Sequence, residues 1–462
     1  MTMAESSYDC IVIGSGPGGY VAAIRAAQLG MRTAVVEADQ IGGRCLNYAC
    51  IPAKAVLRVA DVLGEIRDAA AFGITVAEPT VDFAAVSERR QKVVKTLTGG
   101  VAGLMKKNSI DVVAGHGVVT DEGNVKVGSN FDGTEIAAKT VILATGSVKR
   151  PLPGTRFGGR VIGTEEAWAL ETLPRTLAVV GAGASGTEIA SAYARLGSNV
   201  TLYEGLDRVL PTEDADISKI AERGFKKQGI VVRTGVFVED VVAGPDGVRF
   251  TVAGEPTEAE WLVIAAGRAP DVENLGLEDA GIKLAETGLL AVDGAMRTSL
   301  AGVYAIGDLV AGPALAHKAS DEGIIAAEDA AGLQTHPLVH VDIPRATFCE
   351  PNVASFGLTE QQARDAGHDV VVGKTGFGAV GAGTVYGDRS GMVKIVGDRR
   401  YGELLGGHIV GTKATDLVQE LVNVRALEGG FVEVARMVHG HPTLSEAVME
   451  AARDADGWLI HG

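Results

Sequence analysis

The chain has 462 residues, of which 46% are hydrophobic and 22% charged, and its formal net charge is −16. This length is enough for about three domains of ordinary size. The acidic charge argues against nucleic acid and anionic membrane as partners, and no apolar run approaches the roughly 18 residues of a membrane span. Residues 1–8 lack the features of a signal or transit peptide, so we expect a cytoplasmic, bacterial-type protein.

A dinucleotide-binding pattern opens the chain. The apolar strand 8–13 runs into a glycine loop and an alanine-rich helix, and a second strand then ends at Glu37. The loop glycines are Gly14, Gly16 and Gly19. In such a loop the first glycine permits the tight turn, the second lets backbone N–H groups approach a pyrophosphate, and the third lets the helix pack against the strand. The acid at the strand end is expected to hydrogen bond a ribose diol.

Two cysteines, Cys45 and Cys50, follow this unit at once. A close cysteine pair beside a nucleotide loop suggests thiol–disulfide chemistry coupled to a redox cofactor. A disulfide needs Cα atoms about 4.4–6.8 Å apart, whereas five residues of regular helix rise about 7.5 Å. If the bridge forms, Cys45 must therefore lie in a loop or distorted turn ahead of the helix, with Pro52 in the first turn.

Two other interpretations of the pair remain open from the residues alone, namely inert buried thiols and half of a zinc site. A zinc ribbon normally needs closer spacing and a second cysteine pair. The other cysteines, Cys10 and Cys349, lie far apart in the sequence and are expected to be packed thiols. We therefore expect no metal site.

The opening pattern is repeated in residues 177–204. An apolar strand, a glycine loop, a helix and a second strand occur in the same order, and the second strand ends at Glu204. The loop glycines are Gly181, Gly183 and Gly186. Two copies in the same context predict two nucleotide-binding units. Because a carboxylate repels a 2′-phosphate, Glu204 favours NAD over NADP.

Later segments complete the predicted architecture. The strands 141–143 and 262–264 are expected to close the two units, and a third strand ends at Asp308. Alternating patterns follow from about Pro344, with a final helix predicted over 443–452. The predicted fold is α/β, with two Rossmann-like domains and a C-terminal α+β dimerisation domain. The expected domains are 1–148 with 270–340 for FAD, 149–269 for NAD, and 341–462 for the interface.

Taken in order, these motifs resemble the flavoprotein pyridine-nucleotide disulfide oxidoreductases over essentially the whole chain. The most specific motif is the segment 439–446, with the sequence HGHPTLSE. The resemblance implies FAD on the first unit, NAD on the second and a homodimer. It further implies that Cys45 exchanges with substrate while Cys50 faces the flavin. In the family, residues matching His441 and Glu446 complete the active site of the other subunit.

The resemblance also assigns cofactor contacts. Lys54 matches the lysine beside flavin N5, Glu188 matches its ion-pair partner, and Asp308 matches the acid on the ribityl chain. Further cofactor-binding positions are Thr145, Gly146, Gly267 and Ala316. The chain departs from the usual pattern at Arg44, Tyr48, Ala49, Ala184 and Ser185.

A dithiol substrate requires a general base, and a histidine can serve as one. A thiolate is the nucleophile in disulfide exchange, so a base with a pKa near neutrality is needed. We expect His441 to be this base and Glu446 to orient it, whereas His439 is expected to be structural.

The implied reaction oxidises a protein-bound dihydrolipoyl group and reduces NAD. The implied partner is the lipoyl domain of an acyltransferase or a glycine-cleavage carrier protein. The alternative is an NAD(P)H-dependent reductase of another disulfide, a quinone or a metal ion. The basic residues that NADP-dependent glutathione reductases need are absent after Glu204, and the C-terminus lacks the cysteine pair of mercuric reductases. A non-catalytic binding protein is disfavoured because both cysteines and the His441/Glu446 pair are present.

Overall fold

The computed structural model describes residues 7–128 and 133–462. The chain divides into two compact units. The first comprises the described residues up to Ala55 together with those of Ser87–Arg150 and Gly267–His340, and the second comprises Val56–Val86, Pro151–Ala266 and Val341–Gly462. The division into three domains predicted from the sequence stays a prediction.

The described helices are α1 Pro17–Gln28, α2 Gly43–Asn47, α3 Cys50–Asp68, α4 Phe83–Lys107, α5 Thr164–Ala169, α6 Ala184–Leu196, α7 Ala215–Lys227, α8 Ala316–Ala330, α9 Glu360–Asp365, α10 Gly381–Tyr386, α11 Ala414–Ala426, α12 Phe431–Arg436 and α13 Glu446–Ala455. The described strands are β1 Tyr8–Ile13, β2 Thr33–Glu37, β3 Asp111–Ala114, β4 His116–Val119, β5 Val125–Gly128, β6 Thr134–Ile136, β7 Ala138–Leu143, β8 Ser147–Lys149, β9 Val161–Gly163, β10 Thr176–Val180, β11 Asn199–Tyr203, β12 Val231–Arg233, β13 Val238–Ala243, β14 Val248–Val252, β15 Glu255–Ala259, β16 Trp261–Ile264, β17 Arg268–Pro270, β18 Val303–Ala305, β19 Arg345–Thr347, β20 Val353–Gly357, β21 Val370–Gly376, β22 Met392–Asp398 and β23 Glu403–Val410.

The first unit is built on a parallel sheet with the strand order β18-β7-β1-β2-β3. Apolar residues on both faces of β1 are buried, with Ile11 packed in one cluster and Val12 in another. A strand covered on both faces needs a continuous apolar run, which explains the sequence of β1. The glycine loop leaves the carboxyl end of this strand, where ligands bind in open α/β sheets.

The second unit contains a parallel sheet of the same kind, with the order β12-β11-β10-β16-β9. The strand before the glycine loop, β10, pairs with the following strand β11 and with the later strand β16. In the first sheet, β1 has the same two kinds of neighbour, β2 and β7. The predicted repeat is therefore confirmed at the level of strand pairing.

The C-terminal part of the second unit is an antiparallel sheet, β19-β20-β23-β22-β21, packed with α11, α12 and α13. The final helix begins at Glu446, three residues later than the predicted Thr443. The backbone N–H of Thr443 donates to Glu446 Oε2 at 2.8 Å, and its hydroxyl donates to Gly440 O at 2.7 Å. These bonds hold the preceding residues in a loop, which explains the delayed start.

Across residues 7–128 and 133–462, none of the helices is both long enough and apolar enough to cross a membrane.

Candidate active site

The first glycine loop has the geometry that a pyrophosphate requires. Gly14 has a φ of +99°, and a Cβ at Gly19 would lie 1.9 Å from Gly14 O. Neither position tolerates a side chain, because the first is left-handed and the second touches backbone. A Cβ at Gly16 would meet nothing within 4 Å, which leaves the N-terminus of α1 open to a ligand.

Glu37 is fixed at the carboxyl end of β2. Its Oε2 accepts hydrogen bonds from Ser15 N at 2.8 Å and Ser15 Oγ at 2.5 Å, and its Oε1 accepts one from Asp39 N at 2.8 Å. Ser15 is fully buried, so the carboxylate is held beside the glycine loop by a rigid donor. This is the place at which a ribose diol of a nucleotide would be bound.

The second glycine loop has the same construction. Gly181 has a φ of +99°, and a Cβ at Gly186 would lie 1.8 Å from Gly181 O. Glu204 accepts hydrogen bonds from Ala182 N at 2.7 Å and Leu206 N at 3.0 Å. A Cβ at Gly183 would meet nothing within 4 Å. The second loop therefore leaves the same opening for a pyrophosphate and presents a carboxylate in the same manner.

In the first unit a cleft of roughly 520 Å³ joins the glycine loop to the cysteines. This volume is typical of cofactor and small-ligand sites. The predicted site residues that line the cleft are Gly14, Gly16, Glu37, Cys45, Cys50, Thr145, Gly146, Asp308 and Ala316. Gly19 and Lys54 are not among its lining residues. The structure thus brings most of the predicted first-unit residues to one continuous surface.

The two cysteines both line this cleft, and they lie on two different helices. Cys45 is in the short helix α2, and Cys50 is the first residue of α3. Tyr48 and Ala49 lie between the two helices and are not helical. For a bridged pair the sequence predicted Cys45 in a loop or distorted turn ahead of the helix. In this structure, with both thiols free, Cys45 instead lies in a short helix of its own ahead of α3. Pro52 lies in the first turn of α3, as predicted.

Both residues are free thiols in this structure. The hydrogen bond between Cys45 and Cys50 and the burial of Cys45 raise the pKa of the Cys45 thiol, while the charges of Lys54 and Arg44 act in the opposite direction. The two thiol groups are therefore within hydrogen-bonding reach of each other, as dithiol–disulfide chemistry requires.

His441 and Glu446 form a pair in the second unit. His441 Nδ1 lies 2.9 Å from Glu446 Oε1, and the His441 side chain is 75% exposed. Burial alone raises the pKa of Glu446, but the hydrogen bonds from Thr443 N–H and His441 outweigh it and lower the pKa below its usual value. A charged, oriented carboxylate on one ring nitrogen leaves the other nitrogen free to exchange a proton.

His439 has a different environment. Its Nε2 lies 2.5 Å from Glu420 Oε1 and its Nδ1 lies 3.1 Å from Met437 O. The hydrogen bond with Glu420 is the largest cause of a raised pKa. With both ring nitrogens engaged, His439 has a structural environment of the kind predicted for it.

Comparison with known proteins agrees with this geometry. Residues 8–323 match the family described as pyridine nucleotide-disulphide oxidoreductase, and residues 343–452 match the dimerisation domain of that family. A dihydrolipoyl dehydrogenase of Mycobacterium tuberculosis is 45% identical over 461 residues, covering 98% of this chain and 99% of the relative. One from Bacillus subtilis is 42% identical over 472 residues, covering 99% of both. The chain belongs to the pyridine nucleotide-disulphide oxidoreductase family.

Solved structures show the same fold. LpdA from Mycobacterium tuberculosis has a TM-score of 0.90 at 28% identity, covering 96% of this chain and 99% of that one. The HOCl-induced flavoprotein disulfide reductase RclA from Escherichia coli has a TM-score of 0.84 at 26% identity, covering 96% and 98%. The predicted fold class, two Rossmann-like units with a C-terminal α+β dimerisation domain, is confirmed.

Members of this oxidoreductase family use FAD and NAD, and the residues of both loops fit these groups. FAD fits the first unit, where the cleft runs from the loop and Glu37 to the cysteines and includes Asp308. NAD fits the second unit, where the small, exposed Ala184 and Ser185 begin α6 and leave its N-terminus accessible.

Asp308 is supported by residues that the sequence analysis did not single out. Ser147 Oγ donates to Asp308 Oδ2 and accepts from Arg268 Nε at 2.8 Å. Lys318 and Glu322, both fully buried, hold the backbone of Gly307, with Lys318 Nζ donating to its carbonyl at 2.9 Å and Glu322 Oε2 accepting from its N–H at 2.8 Å. A lysine and a glutamate four residues apart in an otherwise apolar helix face are the signal that could have identified this pair.

The predicted positions Glu188, Lys54 and Gly267 are divided between the two units. Glu188 is buried in the second unit, where its Oε1 accepts from Phe348 N at 2.9 Å. Lys54 belongs to the first unit, so its pairing with Glu188 stays a prediction. Gly267, predicted as a cofactor-binding position, also belongs to the first unit.

The remaining cysteines lie in the core, each with no exposed surface. Burial is the largest cause of the raised pKa of Cys10, about 12, and it also raises the pKa of Cys349. Both have the character of the packed thiols expected from the sequence.

Proposed function

We propose that this chain has dihydrolipoyl dehydrogenase activity, oxidising a protein-bound dihydrolipoyl group and reducing NAD⁺ to NADH. The observation that carries the proposal is the hydrogen bond between Cys45 and Cys50 in the lining of a nucleotide cleft. Two curated relatives that cover nearly the whole chain, from Mycobacterium tuberculosis and Bacillus subtilis, are named for this activity.

In the first half-reaction the cysteines begin as a disulfide. A substrate thiolate attacks the sulfur of Cys45, and Cys50 leaves as a thiolate. The second substrate thiol then attacks the substrate sulfur of this mixed disulfide, which releases the cyclic lipoyl disulfide and the Cys45 thiol. Two electrons and two protons leave the substrate, so the atoms and electrons balance.

His441 is proposed as the base that removes the substrate proton, and Glu446 as the group that orients it. Their 2.9 Å contact and the exposure of His441 support these roles. Lys54 lies four residues after Cys50, and its positive charge favours a thiolate in the pair.

In the second half-reaction the dithiol gives up its two electrons. FAD, when bound in the first-unit cleft, supplies the two-electron carrier between the dithiol and the nicotinamide. Glu204 selects NAD because its carboxylate occupies the place of a 2′-phosphate and repels that charge.

The assembly is proposed to be a homodimer with shared active sites, and the match of 343–452 to the family's dimerisation domain supports it. The proposed partner is the lipoyl domain of a 2-oxoacid dehydrogenase acyltransferase or of a glycine-cleavage carrier protein. The cytoplasmic location expected from the sequence stays a prediction.

Steady-state kinetics test the proposal. NAD⁺ with dihydrolipoamide is expected to support turnover, whereas NADPH with oxidised glutathione is expected to support little. Faster turnover with NADPH and glutathione disulfide, a quinone or a metal ion would instead favour the alternative reductase function.

A further inference from the structure

Tyr48 occupies the break between the two cysteine-bearing helices. It follows the last residue of α2, and its N–H donates to Arg44 O at 2.8 Å. The phenol is partly exposed, and its hydroxyl donates to Asp39 Oδ2 at 2.7 Å. This hydrogen bond joins the residue that ends α2 to the loop that follows β2.

Asp39 connects this phenol to the nucleotide acid. The N–H of Asp39 donates to Glu37 Oε1 at 2.8 Å, and the other oxygen of Glu37 accepts from Ser15. Ser15 Oγ in turn accepts from Gly42 N at 3.1 Å. Gly42 is the residue before α2 and Tyr48 is the residue after it. Both ends of the short helix that carries Cys45 are therefore tied to the same carboxylate.

The protonation states suit this network at neutral pH. Burial, the hydrogen bond to Asp39 and the charge of Asp39 raise the pKa of Tyr48 to about 12. The phenol is therefore the donor and the Asp39 carboxylate the acceptor.

We propose that Tyr48 is a positioning residue that holds α2 in register with the start of α3 and thereby favours the disulfide form of Cys45 and Cys50. The proposal rests on the redox role proposed above and adds a residue that tunes it. Disulfide formation restricts the α2 segment and costs conformational entropy. This cost is smaller when the hydrogen bond of Tyr48 already holds the segment in place, and it is larger when the segment is mobile in the dithiol form. Loss of the anchor therefore shifts the equilibrium toward the dithiol.

The test measures the dithiol–disulfide equilibrium of the FAD-loaded protein against dithiothreitol without oxygen. In this exchange the cysteines lose two protons and two electrons as the cyclic oxidised reagent becomes its dithiol. Acid quenching and alkylation, followed by mass spectrometry of the peptide containing Cys45 and Cys50, give the equilibrium constant. Tyr48→Phe is expected to lower the constant for disulfide formation about twofold to threefold. This is less than the worth of one net hydrogen bond, because the bond is already formed when both thiols are free.

Tyr8→Phe is the matched control. Tyr8 Oη donates to Asp111 Oδ2 at 2.9 Å in the same unit, but both residues lie on strands of the central sheet. Its loss removes the same kind of bond and is expected to leave the redox equilibrium unchanged. A purely structural role of Tyr48 predicts that Tyr48→Phe changes thermal stability without a redox shift.

Asp39→Ala is a second variant that removes the same hydrogen bond from its acceptor side. It is expected to produce a shift similar to that of Tyr48→Phe, and the double variant is expected to shift no further, because both remove one interaction. An unchanged constant in Tyr48→Phe, or additive shifts in the double variant, overturns the role of Tyr48. If the wild-type protein forms no Cys45–Cys50 disulfide at any reagent ratio, the proposed function itself fails.

Discussion

The two nucleotide regions share one local construction and differ in what that construction is connected to. Gly14 and Gly181 have the same φ of +99°, and Glu37 and Glu204 each accept a backbone N–H from the second residue of their loop. The second loop residue is Ser15 in the first region, whose hydroxyl also bonds Glu37 and Gly42.

The corresponding residue of the second region is Ala182, which has no side-chain donor. The first region therefore couples nucleotide recognition to the helix that carries Cys45, whereas the second region recognises a nucleotide without thiol chemistry of its own. The glycine loop accounts for binding, and the residues beyond it decide the reaction.

His441→Ala is expected to have the largest effect. It removes the proposed base of the thiol chemistry and leaves both nucleotide regions unchanged. Loss of a general base costs roughly 10²–10⁴-fold, so dihydrolipoamide oxidation is expected to fall by this factor. Electron transfer from NADH to a dye needs only the flavin and nicotinamide regions and is expected to continue. A parallel loss of both activities would show that the variant damages the fold or a nucleotide site instead.

Subunit exchange extends this test to the proposed dimer. His441→Ala chains mixed with inactive Cys45→Ser chains are expected to regain dihydrolipoamide activity, since a mixed dimer joins Cys45 of one chain with His441 of the other. If exchange is verified and no activity returns, each chain carries a complete site.

Matched alanine substitutions in the glycine loops test the equivalence of the two regions. A Cβ at Gly19 or Gly186 meets a backbone oxygen at 1.9 or 1.8 Å, which no side-chain rotation relieves. Each variant is expected to weaken its own nucleotide about 100-fold. Flavin absorbance of purified Gly19→Ala and NADH titration of Gly186→Ala measure the effects, and loss of both nucleotides in either variant would contradict the division of roles.

Substitution of the acid at the end of the second strand of each region tests how the nucleotide is selected. Glu204→Ser combined with Leu206→Arg removes the repelling charge and adds a cation, so the ratio of NADPH to NADH kcat/KM is expected to rise about 10- to 100-fold. Glu37→Ser is the control and is expected to weaken FAD retention without altering this ratio. A wild-type protein that uses NADPH as well as NADH would refute the role of Glu204.

The smallest expected effect is on acid stability and arises in the second unit. Hydrogen bonds from Lys374 and Lys394 lower the pKa of Asp216 to about 2. A depressed carboxylate pKa stabilises the fold above the unfolded value of 3.8, and this contribution is lost as the pH falls toward 2.

Because Asp216 is partly exposed and screened by solvent, the contribution is no more than about 1 kcal/mol. Asp216→Asn is therefore expected to lower the free energy of unfolding at pH 7 and to reduce its dependence on pH between 4 and 2. Asp121→Asn, at an exposed turn, is the control. If the free energy of unfolding of Asp216→Asn depends on pH between 4 and 2 as strongly as that of the wild-type protein, the proposed contribution of Asp216 is contradicted.

The local motifs could be predicted from the sequence because their physics is local. The glycine loops, the acids Glu37 and Glu204 and the strands before them depend on residues that are neighbours in the chain. The short helix around Cys45 was not predicted, since five residues show too little periodicity to distinguish one helical turn from a loop.

Partners that are distant in the chain could not be found in this way. His439 pairs with Glu420, which is 19 residues away, and Ser147 bonds Asp308, which is 161 residues away. No periodicity relates such residues, because the fold alone brings them together. The late start of α13 has a different, local cause, since Thr443 hydrogen bonds with Gly440 and Glu446, each three residues away.

Electron counting tests the central claim, that Cys45 and Cys50 form a redox pair coupled to FAD. Anaerobic titration with NADH or dithionite, followed by flavin absorbance, gives the number of electron pairs taken up per FAD. The wild-type protein is expected to take up two pairs and Cys50→Ser only one, because the serine variant retains the flavin and loses the disulfide. An equal uptake by the two proteins would contradict the account.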